Sequence, residues 1–317
     1  MDRAGSSSIT PVRPLAAASP RVTGRRSAQR QRRLDVVLLL ALPMALLTLA
    51  SFAPNLLNFG YAFTDWSAFS DEISFVGFDN FERLASDGTL WRDLRTTVVY
   101  AATVTLLQQI GGLALALGLE AELRWNRFLR AVLFVPVLLA PLAAGYVWRA
   151  MLAYDGVAND LLGTVSGQPV RIEWLGSLDF TVFAVAAVHA WKWVGLTMII
   201  YLAGLATVPR ELLDAARVDG ANAWQTFWRV KFRLIAPALT VNVALTLIGA
   251  LNTFDIVLAT TGGGPARTTE VLNIYIFQQY GSGQFGQAVA MSLVLFLTVC
   301  ALAVPLIAGL RRRELTS

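Results

Sequence analysis

The 317-residue chain is 56% hydrophobic and only 15% charged, with a net charge of +5, one Cys and one His. Soluble globular domains carry about 25% charged residues, so the composition argues against a soluble enzyme and, through its hydrophobicity, against disorder for most of the chain. One Cys and one His exclude a disulfide framework and a metal site built from several histidines. The composition predicts an all-α, polytopic membrane protein.

A basic arm, residues 1–33, comes first and is predicted to be disordered and cytoplasmic. Six apolar segments follow, each close to or above the roughly 20 residues that cross a bilayer as a helix. Because lipid offers the backbone no hydrogen-bond partners, each segment is predicted to be helical. They form one predicted transmembrane domain, 34–311, followed by a cytoplasmic tail, 312–317. The predicted spans are 34–57, 96–119, 128–152, 180–206, 234–260 and 285–310.

Basic residues are distributed unevenly between the loops. Nineteen of the 26 Lys and Arg residues fall on the side of the N-terminus and five on the other, while Arg149 and Lys192 lie within spans. Membrane proteins carry their excess of basic residues in cytoplasmic loops, so both termini are predicted to be cytoplasmic. The basic arm fits a topogenic tail near anionic lipid headgroups better than a nucleic-acid binding segment.

The most informative cytoplasmic loop is 207–233, between the fourth and fifth predicted spans. It is predicted to form two short helices around a turn, because Asp219-Gly220 is a turn signal and apolar residues recur at helical spacing on both sides. Such an amphipathic loop either docks a partner or rests on lipid headgroups, and composition leaves both interpretations open. Short residues that allow a close backbone approach are Ala215, Ala216, Gly220 and Ala221.

Polar residues inside the fifth predicted span share one side of the helix. Asn242, Thr246, Gly249 and Thr253 are spaced i, i+4, i+7 and i+11, which places them on a single face. Amides and hydroxyls beside a glycine suit a sugar, yet small and polar residues also line packed interfaces between membrane helices. A substrate pathway and a helix–helix interface are therefore alternative interpretations. Further pathway candidates nearer the outer mouth are Asn252 and Asp255.

Lys192 lies near the middle of the fourth predicted span, where an ammonium group costs at least about 2.5 kcal/mol. It is therefore predicted to face a water-filled cavity or an anionic partner, for which Asp255 is one candidate. A structural ion pair and a substrate contact remain alternatives, and His189 lies on the same face. Residues interpreted as structural or interfacial are Gln108, Gln109, Arg149, Trp148, Trp191 and Trp193.

The run from Asp214 to Ala221, DAARVDGA, with Phe227 beyond it, resembles the EAA loop. That loop marks the membrane subunits of binding-protein-dependent ABC importers, in which it forms the coupling helix that sits in a cleft of the ATP-binding subunit. Asp214 replaces the usual Glu and keeps the charge. Phe232-Arg233 replaces a Leu-Pro pair, which affects the bend into the fifth span and not the docking. The resemblance assigns the coupling loop Asp214, Ala215, Ala216, Asp219, Gly220, Ala221 and Phe227.

The resemblance extends over roughly 34–310 and narrows the subfamily. The segments that resemble sugar-type permeases are 76–81, 191–193, 203–205, 254–257 and 261–265. The last two together look like the first permease of carbohydrate importers, the maltose and trehalose type. This likeness implies the six-helix fold of type I ABC importer permeases.

The family implies a pair of permeases, here a heterodimer, with two ATP-binding subunits and an extracytoplasmic solute-binding protein in the bacterial inner membrane. The chain has no phosphate-binding loop motif, so it is predicted to be no enzyme and to bind no cofactor or metal, while the separate ATPase uses ATP and Mg. The implied cargo is a sugar or oligosaccharide. Glycerol phosphate is an alternative cargo, for which Lys192 would be an anion contact. A stand-alone secondary transporter or channel is the other alternative, and the inverted repeats typical of such transporters are not found.

Overall fold

A computed structural model describes residues 24–121 and 123–314. The chain divides into two compact units, Met1–Leu56 and Leu57–Ser317. Within the described residues the regular secondary structure is helical, with one isolated antiparallel bridge between Thr64 and Phe75. Most of the predicted arm, 1–23, and the end of the predicted tail, 315–317, lie outside the described residues.

Helix α1 begins in the first unit, and its last turn belongs to the second. The helices in chain order are α1 (Gly24–Tyr61), α2 (Asp79–Ser86), α3 (Thr89–Gly118), α4 (Arg124–Leu138), α5 (Pro141–Met151), α6 (Val157–Ser166), α7 (Thr181–Ala206), α8 (Arg210–Val218), α9 (Ala223–Thr226), a π-helical turn (Phe227–Lys231), α10 (Phe232–Leu234), α11 (Ala236–Leu251), α12 (Asp255–Thr260), α13 (Leu272–Gly281) and α14 (Phe285–Glu314).

Four helices in the described part are long and apolar enough to cross a membrane: α1 from Val36 onward, α3, α7 and α14. Two further candidates are helix pairs that are sharply bent at a short break. Helices α4 and α5 meet at 99°, and the segment Ala223–Leu234 meets α11 at 71°. By length and composition the described residues therefore contain four candidate spans, or up to six if each bent pair is one span.

Three predicted segments differ from the structure: the N-terminal arm, the third span and the fifth span. Helix α1 begins at Gly24, within the arm that was expected to be disordered. The predicted third span is not continuous, because Leu139 and Ala140 are extended and Pro141 begins α5. A proline lacks the N–H of a helical hydrogen bond and disfavours helical backbone in the residue before it. The apolar run that looked like one helix is therefore two.

The predicted fifth span is also interrupted. Helix α11 ends at Leu251, and α12 begins only at Asp255. At the break the Asn252 side chain donates to the carbonyl of Ile248 at 2.8 Å. Local side-chain bonds of this kind compete with the continuation of a helix. The break places residues 252–254 as a non-helical segment between two helices.

In the second unit, α3 packs along α7, and α11 packs against α3, α7 and α14. The close contact of α3 and α7 depends on Gly112, since a Cβ there would lie 2.4 Å from a methyl group of Thr197. Small residues generally allow such approaches between membrane helices. Elsewhere α4 packs on α7, α12 on α5, and α13 on α14. The main buried cluster includes Tyr100, Val104, Val185 and Leu251.

Candidate functional site

A half-open cavity of about 290 Å³ lies between helices of the second unit. Helices α3, α5, α7, α11 and α12 form its walls, together with the segment between α11 and α12. Among the described residues that line it, Asp255 is the single carboxylate, and none is Lys or Arg. The walls combine apolar side chains with amides, hydroxyls and one imidazole, which is the usual composition of a small-molecule site.

The polar face predicted on the fifth span lines this cavity. It does so because α11 is regular up to Leu251, so that residues at the predicted spacing stay on one side of the helix. Of the seven pathway candidates, Lys192 does not line the cavity. The six that do are Asn242, Thr246, Gly249, Asn252, Thr253 and Asp255.

Hydrogen bonds from the same face hold neighbouring helices together. The Asn242 amide donates to the Thr197 carbonyl of α7 at 3.2 Å, and the Gln109 amide of α3 donates to the Thr246 hydroxyl at 2.8 Å. The carbonyl oxygen of the Asn242 side chain is buried and has no partner in the described part of the chain. The face thus lines a cavity and joins helices at once, so the two interpretations of its sequence pattern apply together.

Gln108, Trp193 and Thr197 were not predicted to belong to this site, and His189 was noted only for its position beside Lys192. Gln108 lines the cavity from α3, while His189, Trp193 and Thr197 line it from α7. His189 is buried, and its Nδ1 lies 3.0 Å from the Tyr100 hydroxyl. The three α7 residues are spaced i, i+4 and i+8, a helical face of the same kind as that on the fifth span. That spacing was a usable signal, hidden by the interpretation of the tryptophans as interfacial.

Lys192 is fully buried and bonds to a backbone carbonyl, whereas a water-filled cavity or an acidic partner was predicted. Its Nζ lies 3.3 Å from the carbonyl oxygen of Val137 and 4.0 Å from the centre of the Trp193 ring. Val137 is in the last turn of α4, and the residue four positions later, Pro141, has no N–H to offer its carbonyl. Lys192 thus supplies a donor at the break between α4 and α5.

Replacing Lys192 by Met is expected to lower the melting temperature of the detergent-purified protein by several degrees. The change leaves the Val137 carbonyl unpaired in an apolar environment, which costs about 1–3 kcal/mol. Lys192→Gln is the matched control, because it keeps an N–H donor without the charge, and it is expected to stay near the wild-type value. An equal loss in both variants would show that the charge matters and not the donor.

The 207–233 loop folds into two helical pieces around a turn, as predicted. Helix α8 ends at Val218, and Gly220 follows with φ +77°. The Gly220 N–H donates to the Arg217 carbonyl at 3.0 Å, and the Ala221 N–H donates to the Ala216 carbonyl at 2.9 Å. These bonds and the left-handed residue form a Schellman motif, for which glycine is the preferred residue.

The second half of the loop begins with a capping box and continues into an aromatic cluster. The Asn222 side chain accepts from the Gln225 N–H at 2.9 Å, while the Gln225 side chain accepts from the Asn222 N–H at 3.0 Å. Two of the exposed apolar side chains of the loop are Val218, 88% exposed, and Trp224, 69% exposed. The rings that pack within 5.8 Å of a neighbour are Trp224, Phe227, Trp228 and Phe232.

Helix α8 and this aromatic cluster present polar and apolar groups that other parts of the described chain do not bury, since none of the residues of α8 or α9 is buried. Exposed apolar surface rimmed by charge is typical of a docking site.

A family profile described as binding-protein-dependent transport system inner membrane component matches residues 110–314. The chain belongs to this family. The predicted membership among the permeases of binding-protein-dependent importers is thereby confirmed. The coupling role of the DAARVDGA run stays a prediction.

Two curated relatives of this transport component are similar over most of their length. The sn-glycerol-3-phosphate transport system permease of Agrobacterium fabrum is 34% identical over 74% of this chain and 80% of its own length. The trehalose/maltose transport system permease of Thermococcus litoralis is 32% identical over the same shares of the two chains. The family membership is therefore supported by similarity over about three quarters of the chain as well as by the profile.

A solved structure shares the fold. It is a chain of a bacterial alginate ABC transporter in complex with an alginate pentasaccharide-bound periplasmic protein, with a TM-score of 0.77. It is 19% identical, and the match covers 90% of this chain and 97% of that chain. The predicted helical fold of an importer permease is thereby confirmed, while the exact spans and the side of the termini stay predictions. The transport component is a multi-pass membrane protein.

The glycine-rich loop of this transport component, 261–265, folds back on itself and is fixed by side chains. Thr269 donates to the Gly264 carbonyl at 2.7 Å, and its hydroxyl also lies 2.7 Å from that of Thr261. Arg267 donates two hydrogen bonds, at 2.6 and 2.7 Å, to the buried carboxylate of Glu270. These hydrogen bonds raise the pKa of the Arg267 guanidinium, so the guanidinium stays charged. The loop is an ordered structural element.

Proposed function

We propose that this chain is the permease subunit of an ATP-driven importer and forms part of the translocation pathway for a sugar or oligosaccharide. The observation that carries the proposal is the cavity lined by α3, α7 and α11, whose uncharged polar groups match the hydroxyl groups of a carbohydrate. The trehalose/maltose transport permease of Thermococcus litoralis supports the same class of cargo.

The proposed topology has six spans and both termini in the cytoplasm of a bacterial inner membrane. Helices α4 and α5 then count as one broken span, and α11 is the core of the fifth span, which the coupling-loop segment Ala223–Leu234 precedes at a 71° bend. Nonhelical backbone at membrane depth is tolerated where it is buried in protein or lines a cavity. Pro141, at the start of α5, lines the cavity at the first break. The uneven distribution of Lys and Arg supports the orientation, with 1–33 and 312–317 as cytoplasmic ends of the membrane domain 34–311.

The proposed partners are a second, homologous permease, two ATP-binding subunits and an extracytoplasmic solute-binding protein. The alginate transporter, solved with a periplasmic protein, supports the last of these. The 207–233 loop is the proposed contact with the ATPase, through Asp214, Ala215, Ala216, Asp219, Gly220, Ala221 and Phe227. ATP and Mg act in that subunit, and this chain holds no cofactor. ATP then favours one of two global states of the importer, because ATP binds that state better.

The charge of the cavity favours a neutral cargo over glycerol phosphate. The glycerol phosphate permease of Agrobacterium fabrum supports the anionic alternative, and Lys192 was its candidate contact. A buried anion needs a cation or several N–H donors. Among the described lining residues the one charged group is Asp255, and Lys192 is bonded to the Val137 carbonyl instead. An anionic ligand would meet repulsion in this cavity.

Filling the cavity with Gly249→Phe is expected to reduce uptake at least tenfold without unfolding the chain. Gly249 lines the cavity, and a Cβ there meets no other atom within 4 Å. The control is Ile248→Phe, an exposed neighbour that does not line the cavity, and it is expected to transport normally. The assay is uptake of labelled maltose or trehalose into proteoliposomes that contain the whole importer and its binding protein.

The same assay tests the cargo. Excess neutral disaccharide is expected to abolish uptake of the label, whereas glycerol phosphate is expected to have no effect. Uptake of labelled glycerol phosphate, with no uptake of any sugar tried, would replace the sugar by the anionic alternative. Equal uptake in Gly249→Phe and wild type would remove the cavity from the pathway.

A further inference from the structure

An ion pair joins the coupling loop to the inner end of α3. The Lys231 ammonium, at the end of the π-helical turn, lies 2.5 Å from the carboxylate of Glu120. Glu120 is just beyond α3, in the connection to α4. The two side chains are 19% and 33% exposed, so this pair is better shielded from water than an ordinary surface pair.

The connection that carries Glu120 is itself fixed to α4. The Arg130 guanidinium donates to the carbonyls of Leu119, Glu120 and Ala121, and its Nε lies 3.2 Å from the first of these. The Asn126 amide donates to the carbonyl of Ala121 at 3.0 Å. The carboxylate of Glu120 is therefore held on a backbone that does not move independently of α3 and α4.

Helix α3 leads from this connection to the cavity. It carries Gln108, which lines the cavity, and Gln109, whose amide donates to Thr246 of α11 and whose carbonyl accepts from Tyr201 of α7. At the other end, Lys231 is the last residue of the turn that contains Phe227 and Trp228. One ion pair thus links the two regions that an importer must couple.

We propose that the Glu120–Lys231 pair is a strut that transmits the displacement of the coupling loop to α3 and so to the cavity wall. The proposal rests on the function proposed above, since it presumes that an ATPase moves the loop. Spatial position between two sites does not demonstrate coupling. A strut differs from residues that only lie between the two sites, because its effect depends on the two opposite charges together and not on either residue alone.

The test uses the whole importer in proteoliposomes, with Glu120→Lys, Lys231→Glu and the charge-swapped double variant. The measured quantity is the number of sugar molecules imported per ATP hydrolysed. Each single variant is expected to lower this ratio at least fivefold while ATP is still hydrolysed, because like charges then separate the loop from α3. The swapped double variant is expected to recover to within twofold of wild type.

The matched control is the exposed ion pair between Arg171 and Asp160, 2.8 Å apart and distant in sequence from the coupling loop. Swapping its charges is expected to leave the ratio unchanged. If a Glu120 or Lys231 charge reversal prevents assembly, the milder Glu120→Gln and Lys231→Met variants and their double are measured in the same way. A strut predicts that the double variant is no worse than the worse single variant.

The strut is overturned if the single variants keep the wild-type ratio, or if the swapped variant is as impaired as both single changes combined. Failure of the proposed function gives a different result, in which the wild-type importer itself shows no ATP-dependent uptake of any sugar. The wild-type measurement therefore tests the function, and the comparison among the variants tests the strut.

Discussion

Replacing Gly195 by Ala is expected to lower the melting temperature of the purified protein by about 5 °C or more. A Cβ at this position of α7 would lie 2.3 Å from the carbonyl oxygen of Leu133 and 3.0 Å from the Cα of Phe134. Both atoms belong to the backbone of α4, so no side-chain rotation relieves the contact. Overpacking of this kind typically costs about 1–3 kcal/mol, and about 2 kcal/mol corresponds to such a shift in a chain of this size.

The effect is expected to reach the cavity as well. Displacing α4 from α7 moves the Val137 carbonyl away from Lys192, whose Nζ lies close to Trp193 on the cavity wall. Gly118→Ala is the matched control, because a Cβ there meets no other atom within 4 Å. Thermal unfolding followed by size-exclusion chromatography in detergent compares the two variants. Equal melting temperatures would show that α4 and α7 have room that the structure does not show.

Replacing Gly220 by Val is expected to abolish coupling between ATP hydrolysis and uptake, while membrane insertion stays unchanged. Gly220 has φ +77°, a conformation that a β-branched residue adopts only at a cost of about 1–2 kcal/mol or more. A Cβ at this position meets no atom within 4 Å, so the change acts through the backbone and not through a clash. The turn after α8 then reorganises, and the proposed ATPase contact is lost.

Gly220→Asn is the control, since Asn is among the residues that tolerate the left-handed conformation. The measurements are sugar uptake, sugar-stimulated ATPase activity and co-purification of the ATP-binding subunit. Uptake is expected to fall at least tenfold in Gly220→Val and to stay within about threefold of wild type in Gly220→Asn. Normal uptake in the Val variant would show that this loop is not the docking element.

The parts of the site that follow from helical periodicity were predictable from the sequence. Asn242, Thr246 and Gly249 line the cavity because their spacing is a property of any regular helix, whatever packs around it. Gly220 was predictable as a turn residue for a similar reason, since the left-handed conformation is local. The same helical spacing places His189, Trp193 and Thr197 on one face of α7. They were not predicted as a set because Trp193 was interpreted as an interfacial residue.

The break between α4 and α5 and the environment of Lys192 were harder to predict. Residues 128–152 are mostly apolar, and this hydrophobicity outweighed the local signal of Pro141, where the chain bends by 99°. For Lys192, the cost of a buried ammonium predicted a partner, but the charge suggested a carboxylate. The actual partner is a carbonyl released by the helix break, which no linear pattern could indicate before the break was known.

The π-helical turn at Phe227–Lys231 contains one residue more than an α-helical turn would need. In an α-helix a single added residue rotates everything beyond it by about 100°. This turn therefore determines the angle about the helix axis between Trp224, on its N-terminal side, and Lys231, which pairs with Glu120. A homologue that gains or loses one residue in this turn would therefore rotate its ATPase contact relative to the cavity wall. The residues of the two surfaces themselves would stay the same.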